Sequence, residues 1–120
     1  MTDILRIPGN VPSRCWGSAF KDLAWVLGMS DDFSLPFLGQ AERAFDALDR
    51  GLKAAGTDRS RLISVQVYLH DVKEKPAFDE MWARWIGDDP AGWPMRSCVQ
   101  VAFAGGNKIE LIAVAARPEG

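Results

Sequence analysis

Apolar residues along this chain recur with two periods, and the switches between them lay out its elements. Ile4-Leu5-Arg6-Ile7 reads as a short strand closed by the turn cluster Pro8-Gly9-Asn10. Residues 15–20 and 24–28 read as two further strands joined by a tight turn at Lys21-Asp22. The period then changes. Leu38, Ala41, Phe45, Leu48, Leu52 and Ala55 recur in steps of three and four, which predicts one amphipathic helix with Arg43, Asp46, Asp49 and Lys53 off the apolar stripe. Ser34 is a candidate cap, Pro36 suits the first turn, and Gly56 is placed to end the helix in a left-handed conformation.

Alternation returns at Leu62-Ile63-Ser64-Val65-Gln66-Val67-Tyr68-Leu69. This predicts a strand with Ile63, Val65, Val67 and Leu69 on one face and Leu62, Ser64, Gln66 and Tyr68 on the other. Phe78, Met81, Trp82 and Trp85 then keep helical spacing, with Gly87 near the helix end. After a loop over 90–94, residues 97–103 alternate again. Gly105-Gly106-Asn107 reads as the turn of a last hairpin whose second strand covers 108–116.

The order β-β-β-α-β-α-β-β implies an α+β fold, a mixed sheet with both helices packed on one face. The expected core sets Phe45, Leu48, Leu52, Phe78, Met81, Trp82 and Trp85 against Val65, Val67, Val99 and Val101. The other face, read as carrying Ser64, Gln66, Cys98 and Gln100, has no helix left to cover it. Burial against further copies of the chain is the expectation.

Length and composition narrow this picture. A chain of 120 residues has the size of one domain, expected to span 1–120, and can bury a core without staples. Five Trp and six Phe are many for that length and suggest that partner subunits cover part of the surface. A net charge of −2 with no basic stripe argues against a nucleic-acid partner, because several phosphates would have to be neutralised. Cys15 and Cys98 show no zinc-like or CxxC spacing. No apolar run is long enough for a membrane span and the first residues lack an export pattern, which makes a reducing cytoplasm the expected setting.

Pro94-Met95-Arg96-Ser97-Cys98-Val99-Gln100-Val101, followed by Lys108-Ile109-Glu110-Leu111-Ile112-Ala113-Val114-Ala115, resembles the carboxy-terminal signature of the RidA/YjgF family. Residues 54–58 and 65–72 are similar to that family's first helix end and central strand. The resemblance implies a chorismate-mutase-like fold, a homotrimer built around a barrel of three sheets, and clefts between subunits. It also implies hydrolysis of reactive enamines and imines such as 2-aminoacrylate, with no metal or organic cofactor. In the family an Arg binds the substrate carboxylate and a Glu of the last strand helps to position water.

Arg96 stands at the anchor position, and its guanidinium is a planar fork of donors suited to a carboxylate. An ordinary salt bridge is the plain alternative for such a residue. Glu110 stands at the water-positioning place, inside the apolar run Ile109-Glu110-Leu111-Ile112, where desolvation would raise its pKa toward general-base values. The alternative is an outward-facing strand residue. Lying near opposite ends of the last hairpin, the two are expected to line one cleft or to pair with each other.

Cys98, Trp16 and Gly28 complete the candidate binding residues. Cys98 lies two residues from Arg96 and is expected to contribute through its backbone, its thiol inert. Trp16 takes the place of a Tyr in the family's cleft, and Gly28 matches the Gly of a Ser-Gly pair whose Ser is Leu27 here. Asp79 replaces an Asn on the second helix and Gln100 replaces a Glu. His70 is the only histidine and matches no active residue, which removes a His-dependent mechanism. The expected function is cofactor-free deamination of a small carboxylate-bearing imine or enamine. The alternative is a non-catalytic protein that senses a keto acid through the same cleft.

Overall fold

The computed structural model describes residues 3–118. Six strands form one sheet: β1 (Leu5–Pro8), β2 (Cys15–Phe20), β3 (Leu23–Met29), β4 (Leu62–Leu69), β5 (Met95–Gln100) and β6 (Ile109–Ala116). Two helices, α1 (Phe37–Ala54) and α2 (Lys75–Ile86), follow β3 and β4. The order across the sheet is β1-β2-β3-β6-β4-β5, with every neighbour antiparallel except the parallel pair β4 and β5. Element order and the mixed α+β architecture agree with the sequence reading.

The β2–β3 hairpin turns at Lys21-Asp22 as expected, with Phe20 paired to Leu23 and Lys21 left-handed at φ 54°. Gly56 follows α1 at φ 81°, the conformation foreseen for it. Pro36, expected in the first turn, stands instead at the cap position without a side-chain hydrogen bond. The Ser34 hydroxyl bonds Asp32 rather than capping the helix.

The buried face of α1 is rotated from the expected stripe. Phe37 is buried with Ala41, Ala44, Phe45, Leu48 and Leu52. Leu38, one residue and so about 100° further round, is 56% exposed. The rotation brings Ala44, Ala47 and Gly51 over β3, where there is little room. A Cβ on Gly28 would stand 2.6 Å from the carbonyl oxygen of Ala44, and one on Gly51 would collide with the Val26 side chain. Two glycines therefore let helix and strand approach this closely.

The central strand also departs from simple alternation. The pairing of β4 with β6 shifts between Leu62 and Ser64. A bulge of this kind swings Leu62 inward beside Val65, Val67 and Leu69 and leaves Ile63 exposed, reversing their expected faces.

The last hairpin is corrected outright. β6 pairs with β3 and β4, while β5 pairs only with β4, so β4 lies between the two strands expected to be partners. The chain must leave β5 at Gln100 and cross the end of β4 to enter its slot. Residues 101–103 therefore lie outside the sheet, although Val101 N–H still donates to the Leu69 carbonyl at 2.9 Å.

Register with β4 also reassigns the faces of β5. Val65 lies opposite Arg96, Val67 opposite Cys98 and Leu69 opposite Gln100. Partners in a parallel ladder point the same way, so Arg96, Cys98 and Gln100 lie on the helix side. Met95, Ser97 and Val99 lie on the open side. Val99, expected in the core, is exposed, and the open face carries neither Cys98 nor Gln100. Its residues are Ser64, Gln66 and Tyr68 of β4, flanked by Trp25, Leu27, Ile112, Val114, Met95 and Val99.

Under the helices, Phe45, Phe78, Trp82 and Trp85 form one aromatic cluster, with Phe45 and Phe78 stacked at 5.6 Å between centroids. Such a side chain contributes roughly 1.5–3 kcal/mol when fully buried, and Phe78 is completely covered.

Candidate functional site

Arg96 is the second residue of β5, and its side chain lies across one face of α2. Its guanidinium carbon sits 5.4 Å from the Phe78 ring centroid and 5.2 Å from that of Trp82. Arg96 Nη2 donates to Asp79 Oδ1 at 2.8 Å, and Lys75 Nζ donates to Asp79 Oδ2 at 2.7 Å. The Arg96 side chain is 20% exposed, and the Asp79 side chain 38%. Burial alone would raise the Asp79 pKa. The hydrogen bonds from Lys75 and Arg96 outweigh burial and hold this carboxyl below its ordinary value. The salt bridge that was the plain reading of Arg96 is thus present, and it uses only part of the guanidinium fork.

Cys98 lies on the same side of β5, packed against the core beneath α2. Burial pushes its thiol pKa up, opposed by the charges of Arg96 and Lys75, so it lacks the thiolate character of a nucleophile. Gln100 is occupied as well: its Oε1 accepts from the Val72 N–H at 2.7 Å and ties the end of β5 to the turn before α2.

Glu110 is on the other side of the sheet. It alternates with the buried Ile109 and Leu111 and stands in register between Met29 of β3 and Tyr68 of β4. Its one side-chain partner among the described residues is Asn107, whose Nδ2 donates to Glu110 Oε2 at 3.3 Å. Burial raises the Glu110 pKa above its ordinary value, and the Asn107 hydrogen bond offsets only part of that. A carboxylate held by an amide rather than a cation, half withdrawn from water, is suited to accept a proton.

Within one chain, Arg96 and Glu110 therefore share neither a cleft nor an ion pair. Strand β4 separates their strands, and they point to opposite faces. The expectation that a hairpin brings them together fails with the hairpin.

Trp16 and Gly28 lie toward the Glu110 end. Gly28 is opposite Leu111, one residue from the Met29–Glu110 pair. It lies beyond the part of β3 paired to β2, which ends at Val26. The close passage of α1 already accounts for a glycine there. Trp16 and Met29 border a groove of about 750 Å³ between the β1–β2 turn and α1, which Arg43, Asp46 and Arg50 also line. Arg96, Cys98 and Glu110 do not line this groove.

Sequence reasoning missed the support beneath Glu110. Gln40 is fully buried on α1. Its Oε1 accepts from Lys108 N–H at 2.9 Å, and its Nε2 donates toward the carbonyls of Leu35, Gly106 and Phe33 at 3.0–3.2 Å. It thereby fixes the crossing loop on which Asn107 sits. The signal was a glutamine three residues after Phe37 and four before Ala44, inside the apolar face.

Among the described residues, no group of three or more His, Cys, Asp or Glu side chains is placed to hold a metal ion, and no helix is long and apolar enough to cross a membrane.

This sheet-and-helix arrangement is shared with solved structures. An uncharacterised protein from Pseudomonas aeruginosa superposes with a TM-score of 0.85 at 24% identity, over 97% of this chain and 100% of that one. E. coli TdcF with bound serine superposes with a TM-score of 0.81 at 23% identity, over 94% of each chain. In sequence, a RutC family protein of Haemophilus ducreyi is 27% identical over 99 residues, 81% of this chain and 83% of its own length. The family model described as endoribonuclease L-PSP matches residues 29–117. The chain belongs to that family, which is the RidA/YjgF family.

Proposed function

We propose that the protein is a cofactor-independent deaminase that hydrolyses a small carboxylate-bearing imine or enamine in a cleft shared between copies of the chain. The observation that carries this reading is the separation of its two charged groups. Arg96 presents an anion anchor on the helix side of edge strand β5, and Glu110 presents a proton acceptor on the open face of central strand β6. Each is half of a site, and a neighbouring copy laid against the uncovered face is the means of joining them. A homotrimer, the assembly that the family resemblance implies, joins the halves three times over. Serine bound to TdcF, a small amino acid with one carboxylate, supports a ligand of this size and charge.

In this cleft the guanidinium holds the ligand carboxylate. An enamine first becomes the imine, gaining a proton at its β-carbon and losing one from nitrogen. Glu110 takes a proton from water as the oxygen adds to the C=N carbon and returns it to nitrogen. It then carries the hydroxyl proton of the adduct to the amine as the C–N bond breaks, which gives the keto acid and ammonia. A cytoplasmic setting suits such reactive intermediates. A second reading, keto-acid sensing without turnover, uses the same Arg96 anchor and has no need of Glu110 as a base.

Glu110→Gln, assayed with 2-aminoacrylate generated in situ, separates the readings. It keeps shape and hydrogen bonding, so pyruvate binding should persist while turnover falls by roughly 10²–10⁴-fold. Unchanged turnover removes Glu110 as the base. Pyruvate binding that requires Arg96, with no turnover of any imine offered, installs the sensor.

A further inference from the structure

We infer that Asp79 is an internal competitor for the carboxylate anchor, and that it restricts the site to ligands carrying a single negative charge. This rests on the reading of Arg96 as the ligand anchor, and it assigns to the site a selectivity which that reading lacks.

The geometry is that of a shared carboxylate. One oxygen of Asp79 accepts from Arg96 at 2.8 Å and the other from Lys75 at 2.7 Å. Lys75 lies one turn earlier on α2, so Asp79 can keep that i,i+4 contact after leaving Arg96. The guanidinium cannot follow, because it lies over the Phe78 and Trp82 rings of the same helix. An arriving carboxylate thus finds an anchor that is already oriented but partly taken. It must displace Asp79, which retreats to Lys75.

Charge then sets the selectivity. Two cations and one anion leave the cluster with one net positive charge, which a monocarboxylate neutralises. A dicarboxylate brings an excess negative charge close to Asp79, a repulsion that water screens only in part, since the Arg96 side chain is 20% and the Asp79 side chain 38% exposed. A ligand with no carboxylate has nothing with which to displace Asp79. The predicted preference is for small 2-oxo or 2-imino monocarboxylates over their dicarboxylate counterparts.

Calorimetric titration with pyruvate and with 2-oxoglutarate tests this on wild type, Asp79→Asn, Lys75→Met and Arg96→Ala. Asp79→Asn is nearly isosteric and frees the fork, so pyruvate should bind roughly 10-fold more tightly and 2-oxoglutarate should gain more. Lys75→Met removes the retreat, so pyruvate should weaken in wild type but much less when Asp79→Asn is also present. Should Asp79→Asn prove poorly folded by circular dichroism, Asp79→Ser supplies the same comparison. Equal affinities and an unchanged preference in wild type and Asp79→Asn, with Arg96→Ala abolishing binding, overturn the inference and leave the anchor standing. Pyruvate binding indifferent to Arg96→Ala overturns the anchor, and the competitor with it.

Discussion

The two faces of the sheet are built from the same strands, yet they meet different fates. On the helix side Ala24, Val26, Val65, Val67, Leu111 and Ala113 are sealed by α1 and α2. On the other side Trp25 and Val99 remain about 40% exposed and Met95 73% exposed. On the covered side Gly28 of β3 and Gly51 of α1 permit contact that a methyl group would block. The open face keeps bulky, unpacked side chains, which in a stable protein mark a surface awaiting a partner. On β4 the division is one of polarity, with Val65, Val67 and Leu69 toward the helices and Ser64, Gln66 and Tyr68 toward the open side, while Trp25, Met95, Val99 and Ile112 add exposed apolar surface around those polar residues. The charged residues follow the same division, with Arg96 held in a network on the covered side and Glu110 held only by an amide on the open one.

The largest expected contrast is between Phe78 and Trp25. Phe78→Ala empties a completely buried position inside the aromatic cluster and should cost about 3–5 kcal/mol in denaturant unfolding. Trp25→Ala, on the open face, should cost the isolated chain far less. Measured at rising protein concentration, its cost should grow if copies pack on that face. A concentration-independent cost for both variants would mean that the open face meets only solvent.

A charge on that face sharpens the same contrast. Ile112→Asp replaces an exposed residue at the middle of the open side. The free chain should lose little, and the assembly should be weakened by roughly 2 kcal/mol or more per buried, unpaired carboxylate. Light scattering at micromolar concentration should show wild type as a trimer and this variant shifted toward monomer. A monomeric wild type would end the shared-cleft proposal, since Arg96 and Glu110 would never meet.

The order of elements, the two helices and the β2–β3 hairpin were legible because periodicity and turn chemistry are local. What was not legible depended on partners distant in sequence. Ile63 and Leu62 exchange faces through a bulge that appears only when β4 is laid on β6. Gly105 and Gly106 do turn the chain, at φ 68° and 84°, but they turn it across the end of β4 and not into a hairpin. The same strand order moved Cys98 and Gln100 to the helix side. Of the candidate site, Arg96 and Glu110 could be named from the family signature and their residue types. Their placement on opposite faces could not, because it follows from β6 inserting between β3 and β4.

Gly28→Ala tests the covered face at its tightest point. The added methyl would press on the Ala44 carbonyl, which the helix cannot easily move, while its other neighbours, Leu48 and Leu111, stand at 3.2 and 3.3 Å. Overpacking of this kind should cost about 1–3 kcal/mol. The matching small change on the open side is Ser64→Ala, which should be nearly silent in the isolated chain. A neutral Gly28→Ala would mean that α1 sits further from β3 than these contacts require, and it would reopen a binding role as the reason for a glycine here.

The smallest effect belongs to Glu110 and is read through pH. Burial raises its folded-state pKa above the ordinary 4.5, so between that value and the raised one the folded chain binds more protons than the unfolded chain. Stability contributed by the protonated form is therefore present below pH 4.5 and is lost as pH rises through the folded-state pKa. At neutral pH the ionised Glu110 is a net cost, and Glu110→Gln should raise the melting temperature slightly there. The advantage should shrink on acidification and vanish once wild-type Glu110 is protonated in both states. Arg96 provides the contrast, since Asp79, held below its ordinary pKa, stabilises at neutral pH and loses that contribution only in acid. A Glu110→Gln variant that is less stable than wild type at pH 7 would show that the carboxylate has a cationic partner, and a carboxylate so paired would be a poor base.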